Sequence, residues 1–283
     1  MSSGELKSGE IMLENLKNEL TIRGFSQRTI DAYLYYNQDF LEFVKKTPDI
    51  VTTDDIRAYV ASLIQNRNFK PRSTNLAISS LRFYYDEFLE KNLMKKIKAL
   101  KPDKKEPDLL NPAEFEKLYK AAGRNIKHRI LIGLFLGSGP RVTENLQLRF
   151  SDIMESEGLA IIRKGKGSKQ RTVIISKRVL EDISAYKEIR KDDKNPYIFK
   201  SYGKSGYLSR QQAWRIVKEC AEYAGISKRI YPHSLRASFA TNLLEKGYDM
   251  GIVQELLGHE SANTTKIYAK YSKERIKKVK SPL

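Results

Sequence analysis

The stretch KKIKALKPDKKEPDLL, residues 95–110, constrains the fold most, because no single regular element can run through it. Pro102 and Pro107 lack the backbone N–H that a helix or an interior strand needs, and each pushes the preceding residue out of helical geometry. The lysines around them leave little apolar surface for a core, so residues 97–110 read as a basic linker. The chain then divides into one body at 10–96, a second at 111–272 and a tail at 273–283. A chain of 283 residues is long enough to give each body its own core.

The first body reads as helical throughout. FSQRTIDAYLYYNQDFLEFV opens on a capping Ser26 and repeats Ile30, Leu34, Leu41 and Val44 at helical spacing. VTTDDIRAYVASLI begins with Thr52 three residues before Asp55, the spacing of a capping box. IMLENLKNEL and PRSTNLAISSLRFYYDEFLEK, with Pro71 near its start, supply two further amphipathic helices. The second body opens on NPAEFEKL, where Asn111 caps, Pro112 takes the first helical position and Glu114 the third. GLAIIRKG and QRTVIIS flank KGSK as a β-hairpin, and SRQQAWRIVKECAEYAG returns to helix with Ser209 and Gln212 as a second box. The expected class is mainly α with a small β-hairpin or sheet.

Charge selects the partner. The chain carries 52 Lys+Arg against 34 Asp+Glu, a net +18, on a body that is 40% hydrophobic and 10% aromatic. A folded, strongly basic surface favours a polyanion. Nucleic acid is preferred to a membrane, since no run of about twenty apolar residues occurs and MSSGELKSGE lacks the apolar core of a signal peptide. One cysteine, Cys220, permits no internal disulfide, and three histidines leave little for a metal. A cytoplasmic protein without metal or cofactor is expected.

Four patterns in the second body can carry chemistry. In GSGPRVTENLQL, Arg141 and Glu144 are either a surface i,i+3 ion pair or an arginine braced by a carboxylate to face a phosphate. In RKGKGSKQR, Lys166 is either an ordinary lysine at a glycine-rich turn or a proton donor to a leaving oxygen. In PHSLRASFATNLL, His233 and Arg236 lie three apart near a helix start, where free N–H groups favour an anion; capping or packing is the plainer role for the histidine. In LLGHESANTTKIYAKYSK, Gly258 ends a helix and exposes His259, and Tyr268 follows on a restarted helix. A tyrosine with an ordinary pKa near 10 is a poor nucleophile unless cations lie beside it. Read alone, the stretch describes a surface tyrosine on a short amphipathic helix; for a nucleophile the cations must come from elsewhere in the fold, with Arg141, Lys166, His233, Arg236 and His259 as candidates.

Taken together, Arg, Lys on a hairpin, His-x-x-Arg, Gly-His and Tyr, in that order across residues 111–272, resemble the tyrosine recombinase (phage integrase) family. GPRVTE matches its first-arginine motif at Arg141 and Glu144, GKGSKQR its lysine hairpin at Lys166, HSLR its His-x-x-Arg box at His233 and Arg236, and LGHESANTTKIY its final box at His259 and Tyr268. ASFAT after Arg236 departs from the histidine that many members carry first, and touches no catalytic position. The first body is similar, more loosely, to the family's helical, SAM-like core-binding domain, and the second to its α+β catalytic domain. The chain starts almost directly with the first of these, leaving no room for the arm-binding domain of lambda-type integrases. Length and layout are most similar to the Xer group of site-specific recombinases, and the Lys- and Glu-rich composition points toward a thermophilic, archaeal source.

The resemblance implies metal-independent strand transfer. Tyr268 attacks a DNA phosphodiester and forms a 3′-phosphotyrosine; Arg141, Arg236 and His259 hold the phosphate oxygens; Lys166 protonates the leaving oxygen; His233 assists proton movement at the tyrosine. Arg72, Arg82 and Lys169 are candidate DNA contacts. The implied partners are a double-stranded recombination site and three further copies of the chain, a tetramer on DNA that resolves chromosome dimers, with a second recombinase or a DNA translocase as additional candidates. In the tail, Ile276, Val279 and Leu283 at helical spacing read either as a solvated basic end or as a helix that docks on a neighbouring protomer. The competing classes are a type IB topoisomerase-like enzyme that nicks and reseals one duplex, and a non-catalytic DNA-binding protein.

Overall fold

The computed structural model describes residues 3–101, 108–163 and 170–258. The chain clusters into two compact units, Met1–Lys105 and Glu106–Leu283.

The first unit is built from α1 (Ser3–Ile22), α2 (Gln27–Val44), α3 (Thr53–Gln65) and α4 (Pro71–Arg82). Their starts follow local chemistry. Ser26 Oγ accepts the Thr29 N–H at 3.2 Å, Thr52 and Asp55 form the reciprocal box, and Pro71 occupies the first turn of α4, where its missing N–H costs nothing. Leu16, Leu20, Phe40, Ile56, Leu63, Ile78 and Leu81 fill the core between them. One expected helix changes character. Instead of continuing as α-helix, the chain after Arg82 widens into a π-helical turn, Phe83–Phe88. Such a turn advances less per residue, and three successive rings, Phe83, Tyr84 and Tyr85, are all buried.

The stretch read as linker is packed at both of its described ends. Arg82 Nη2 donates to the Ile97 carbonyl at 2.7 Å, and the Asn75 side chain holds both the N–H and the carbonyl of Leu100. On the other side Leu110 is buried in the second unit, its N–H on Ser238 Oγ at 2.9 Å.

The second unit contains α5 (Pro112–Ala121), α6 (Ile126–Ser138), α7 (Val142–Leu146), β1 (Ile153–Met154), β2 (Leu159–Ile162), β3 (Arg171–Ile174), α8 (Lys177–Ile189), α9 (Arg210–Tyr223), α10 (Pro232–Glu245) and α11 (Met250–Leu257). The boxes at Asn111/Glu114 and Ser209/Gln212 form as expected. α6, the apolar run ILIGLFL, is buried on nearly all sides and packs against α5, α8 and α10. The expected hairpin is β2–β3, antiparallel, with Leu159 opposite Ile174 and Ile162 opposite Arg171. A third strand, β1, joins its outer edge; two residues are too few to show alternation in a sequence. The hairpin tip lies outside the described residues. Among the described residues no helix is long and apolar enough to cross a membrane.

Candidate active site

Four elements bring the site together: the turn from α6 to α7, the start of β3, the first turns of α10 and the end of α11. α6 ends on Gly139 in the left-handed region, at φ +60°. Pro140 follows, and Arg141 becomes the residue that caps α7. Its backbone N–H donates to Glu144 Oε2 at 2.7 Å and its Nη1 to Oε1 at 2.9 Å. Glu144 is no surface partner. Its side chain is 7% exposed and receives a second, bidentate arginine, Arg171 of β3, with Nη1 to Oε1 at 3.0 Å and Nη2 to Oε2 at 2.7 Å. Burial alone would raise the Glu144 pKa, but the bonds from Arg171 and from the Arg141 N–H and guanidinium outweigh it and hold the carboxyl at about 2. The Arg141–Glu144 pair is therefore half-buried, with the carboxylate inside and the guanidinium partly exposed.

The other ends of these arginines meet at α11. Arg171 Nε donates to the Leu256 carbonyl at 3.0 Å, Arg236 Nη2 to Leu257 at 2.6 Å and Arg141 Nη2 to Gly258 at 2.9 Å. Three successive carbonyls at the negative end of a helix thus each accept from a different guanidinium, where cations are favoured. Arg236 also donates Nη1 to the Gly139 carbonyl at 2.6 Å, which ties the end of α6 to the end of α11 through one buried side chain. Gly258, at φ +63°, caps the end of α11 and directly precedes His259 in the sequence.

The expected residues are therefore placed unequally. Arg141 and Arg236 come together. His233 is exposed on the first turn of α10, while Arg236, three residues on, is buried, so the helix that carries both presents them to different surroundings. Lys166, Lys169, His259 and Tyr268 lie outside the described residues. In the first unit Arg72 is exposed on α4 and Arg82 is engaged with Ile97. Arg171 was not singled out by the sequence reading. The available signal was an arginine inside a β-pattern, QRTVIIS, where a charged residue needs a partner if it points inward. Among the described residues no group of His, Cys, Asp or Glu is arranged to hold a metal ion.

This geometry can be set beside known proteins. Residues 108–275 match the phage integrase family and residues 12–95 match its N-terminal SAM-like domain. The tyrosine recombinase XerA of Pyrococcus horikoshii is 36% identical over 269 residues, covering 94% of this chain and 91% of the relative. The tyrosine recombinase XerD of Rickettsia bellii is 31% identical, covering 95% and 96% respectively. Among solved structures, XerA recombinase aligns at a TM-score of 0.57 with 29% identity over 94% of this chain and 96% of that one. The fold is also shared with XerH site-specific recombinase bound to a palindromic difH substrate, at a TM-score of 0.77, 24% identity and coverage of 94% and 82%. With both units matched in sequence, and relatives above 30% identity along almost the whole length, the chain belongs to the phage integrase family, the tyrosine recombinases.

Proposed function

We propose that this tyrosine recombinase cuts and rejoins a specific duplex DNA site with Tyr268 as nucleophile, Arg141 and Arg236 as the cations on the two non-bridging phosphate oxygens, and His259 as a further donor to them. The observation that carries the reading is the gathering of arginines at the end of α11, immediately before His259 and on the chain path to Tyr268. A phosphodiester is already anionic, and attack adds charge in a pentacoordinate transition state. Preorganised donors aimed at that charge contribute on the order of 10²–10³ in rate each. The Tyr268 oxygen bonds to phosphorus as the bond to the 5′ oxygen breaks. Lys166 gives that oxygen its proton, and His233 assists removal of the proton from the tyrosine. The phosphotyrosine conserves the bond energy, so a 5′-hydroxyl from a partner duplex reverses the step and completes strand exchange without ATP.

The proposed working form is a homotetramer on a double-stranded recombination site, in the cytoplasm, with Xer-type resolution of chromosome dimers as its task; similarity to XerA and XerD along the whole chain supports this choice. The test is a nicked candidate site that traps the covalent adduct. Wild-type protein accumulates a protein–DNA adduct in excess EDTA, and Tyr268→Phe binds the site but forms none. Adducts from Tyr268→Phe would move the nucleophile to another tyrosine, and loss of adduct in EDTA with rescue by magnesium would replace the arginine mechanism.

A further inference from the structure

Three guanidinium groups reach the end of α11, but they are not equivalent. Arg141 keeps a side chain that is 41% exposed. Arg236 is buried and bonded to two backbone carbonyls. Arg171 has a side chain only 8% exposed and all three guanidinium nitrogens committed, Nη1 and Nη2 to Glu144 and Nε to Leu256. Three of its five N–H groups are given to protein acceptors, so its main engagement is with the protein itself. That engagement is a grip on both neighbours of the phosphate-facing surface: the carboxylate that braces Arg141, and the carbonyl beside the one that accepts Arg236. The packing there is close, since a Cβ on Gly258 would lie 2.8 Å from Arg171 Cδ and 2.9 Å from its Nε.

We infer that Arg171 is a positioning residue of the strand-cleavage reaction, acting through Glu144 on Arg141 and through the end of α11 on Arg236. The inference rests on the reading of Arg141 and Arg236 as the phosphate-holding pair. Its logic is geometric. Glu144 has two oxygens and two arginines; the bidentate bonds from Arg171 hold the carboxylate in one orientation, and Oε1 is thereby presented to Arg141 in a fixed direction. Without Arg171, Glu144 is a buried carboxylate bonded only to the backbone N–H and partly exposed guanidinium of Arg141, and the Leu256 carbonyl loses its hydrogen bond to β3. A misplacement of about 1 Å in such a clamp costs about 10²-fold in rate.

The experiment uses the full chain and the nicked site. Single-turnover cleavage and DNA affinity are measured for wild type, Arg171→Gln, Arg171→Lys, Glu144→Gln and the double variant Glu144→Gln/Arg171→Gln, with thermal unfolding of each. Arg171→Gln is expected to cleave about 10²-fold more slowly at unchanged DNA affinity, and Arg171→Lys to recover part of that loss. In the Glu144→Gln background the further loss from Arg171→Gln must be clearly smaller than in wild type, because a residue that acts through another is not additive with it. A pH readout separates positioning from mere folding. Among the described residues the charged groups facing Glu144 are Arg141 from the start of its own helix and Arg171 from β3, while α11 contributes carbonyls. Removing one cation lets Glu144 protonate at higher pH, so the acid limb of the cleavage rate shifts to higher pH in Arg171→Gln and not in Glu144→Gln. Wild-type rates in Arg171→Gln, or full additivity with an unshifted acid limb, overturn the inference. If Arg171→Gln does not fold, Arg171→Lys decides: a folded lysine variant at the wild-type rate overturns it, and a folded, slow one supports it. Tyr268→Phe runs alongside. Adducts there refute the reading of the site itself; no adducts there with full activity in Arg171→Gln refute this inference alone.

Discussion

Glu144 shows what one residue can and cannot reveal. Its spacing from Arg141 predicts an ion pair, and the pair exists. The spacing could not show burial, because the second arginine arrives from β3, 27 residues away. That partner turns a contact worth a few tenths of a kcal/mol at a surface into one whose disruption leaves a buried guanidinium without its counter-charge. Glu144→Gln is therefore expected to cost about 3–5 kcal/mol, read as a drop in Tm near neutral pH. The pH dependence has a definite sign. The folded carboxyl is held at about 2 against an ordinary 4.5, so its contribution is fully present above the unfolded value and is lost as pH falls toward the folded one. Unfolding curves of wild type and Glu144→Gln, well separated at pH 7, must converge across that window; a constant gap down to acid would show that the charge is not what stabilises. Arg141 and Arg236, alike as motif letters, also separate at this scale. Arg236→Gln leaves the buried Gly139 and Leu257 carbonyls without their donor, at about 1–3 kcal/mol, whereas Arg141→Gln alters a partly exposed side chain. Both are expected to abolish cleavage, but only Arg236→Gln to lower Tm by several degrees.

At the scale of elements, legibility follows locality. The caps at Ser26, Thr52/Asp55, Asn111/Glu114 and Ser209/Gln212 were readable because a helix start is decided by three or four adjacent residues. The π-helical turn after Arg82 was not, since only the surrounding core makes it favourable to bury three aromatics in succession. The strand β1 exists because β2 offers it an edge, and its own two residues carry no signal. In the site, the order of motifs was visible in the sequence, but the three-arginine seat of α11 was not: it is assembled from α7, β3 and α10, and backbone carbonyls leave no mark in a motif. That seat makes a prediction about Gly258. Gly225 and Gly258 have nearly the same positive φ, +65° and +63°, so alanine strains both backbones alike. A Cβ at Gly225 meets nothing within 4 Å, while one at Gly258 runs into Arg171. Gly258→Ala should lose more stability than Gly225→Ala and should also slow strand cleavage, whereas Gly225→Ala cleaves normally. Equal effects at the two positions would mean that Arg171 and the end of α11 can part without consequence.

For the whole molecule the governing quantity is how its charge divides between the two units. Of the net +18, +14 falls in Glu106–Leu283 and +4 in Met1–Lys105, and each unit has a core of its own: Phe40, Tyr59 and Leu81 among others in the first, Leu131, Phe135 and Ile183 in the second. Each can therefore present basic side chains to DNA as a stable surface, and the stretch between them is basic as well. Phosphate contacts set affinity through counterion release, so the logarithm of the binding constant falls with the logarithm of salt at about −0.9 per phosphate neutralised on duplex DNA. If both units bind, the slope is the sum of their contacts. A fragment from residue 106 onward, which retains the whole second core, should then bind the site more weakly, with a shallower salt slope and less discrimination from random duplex. The covalent step should survive in it at saturating DNA, because Arg141, Arg171, Arg236, His259 and Tyr268 all lie within the fragment. The two measurements separate recognition from chemistry. A fragment that matches the full chain in slope and discrimination would remove the first unit from DNA binding; one that binds but forms no adduct would mean that the first unit completes the site.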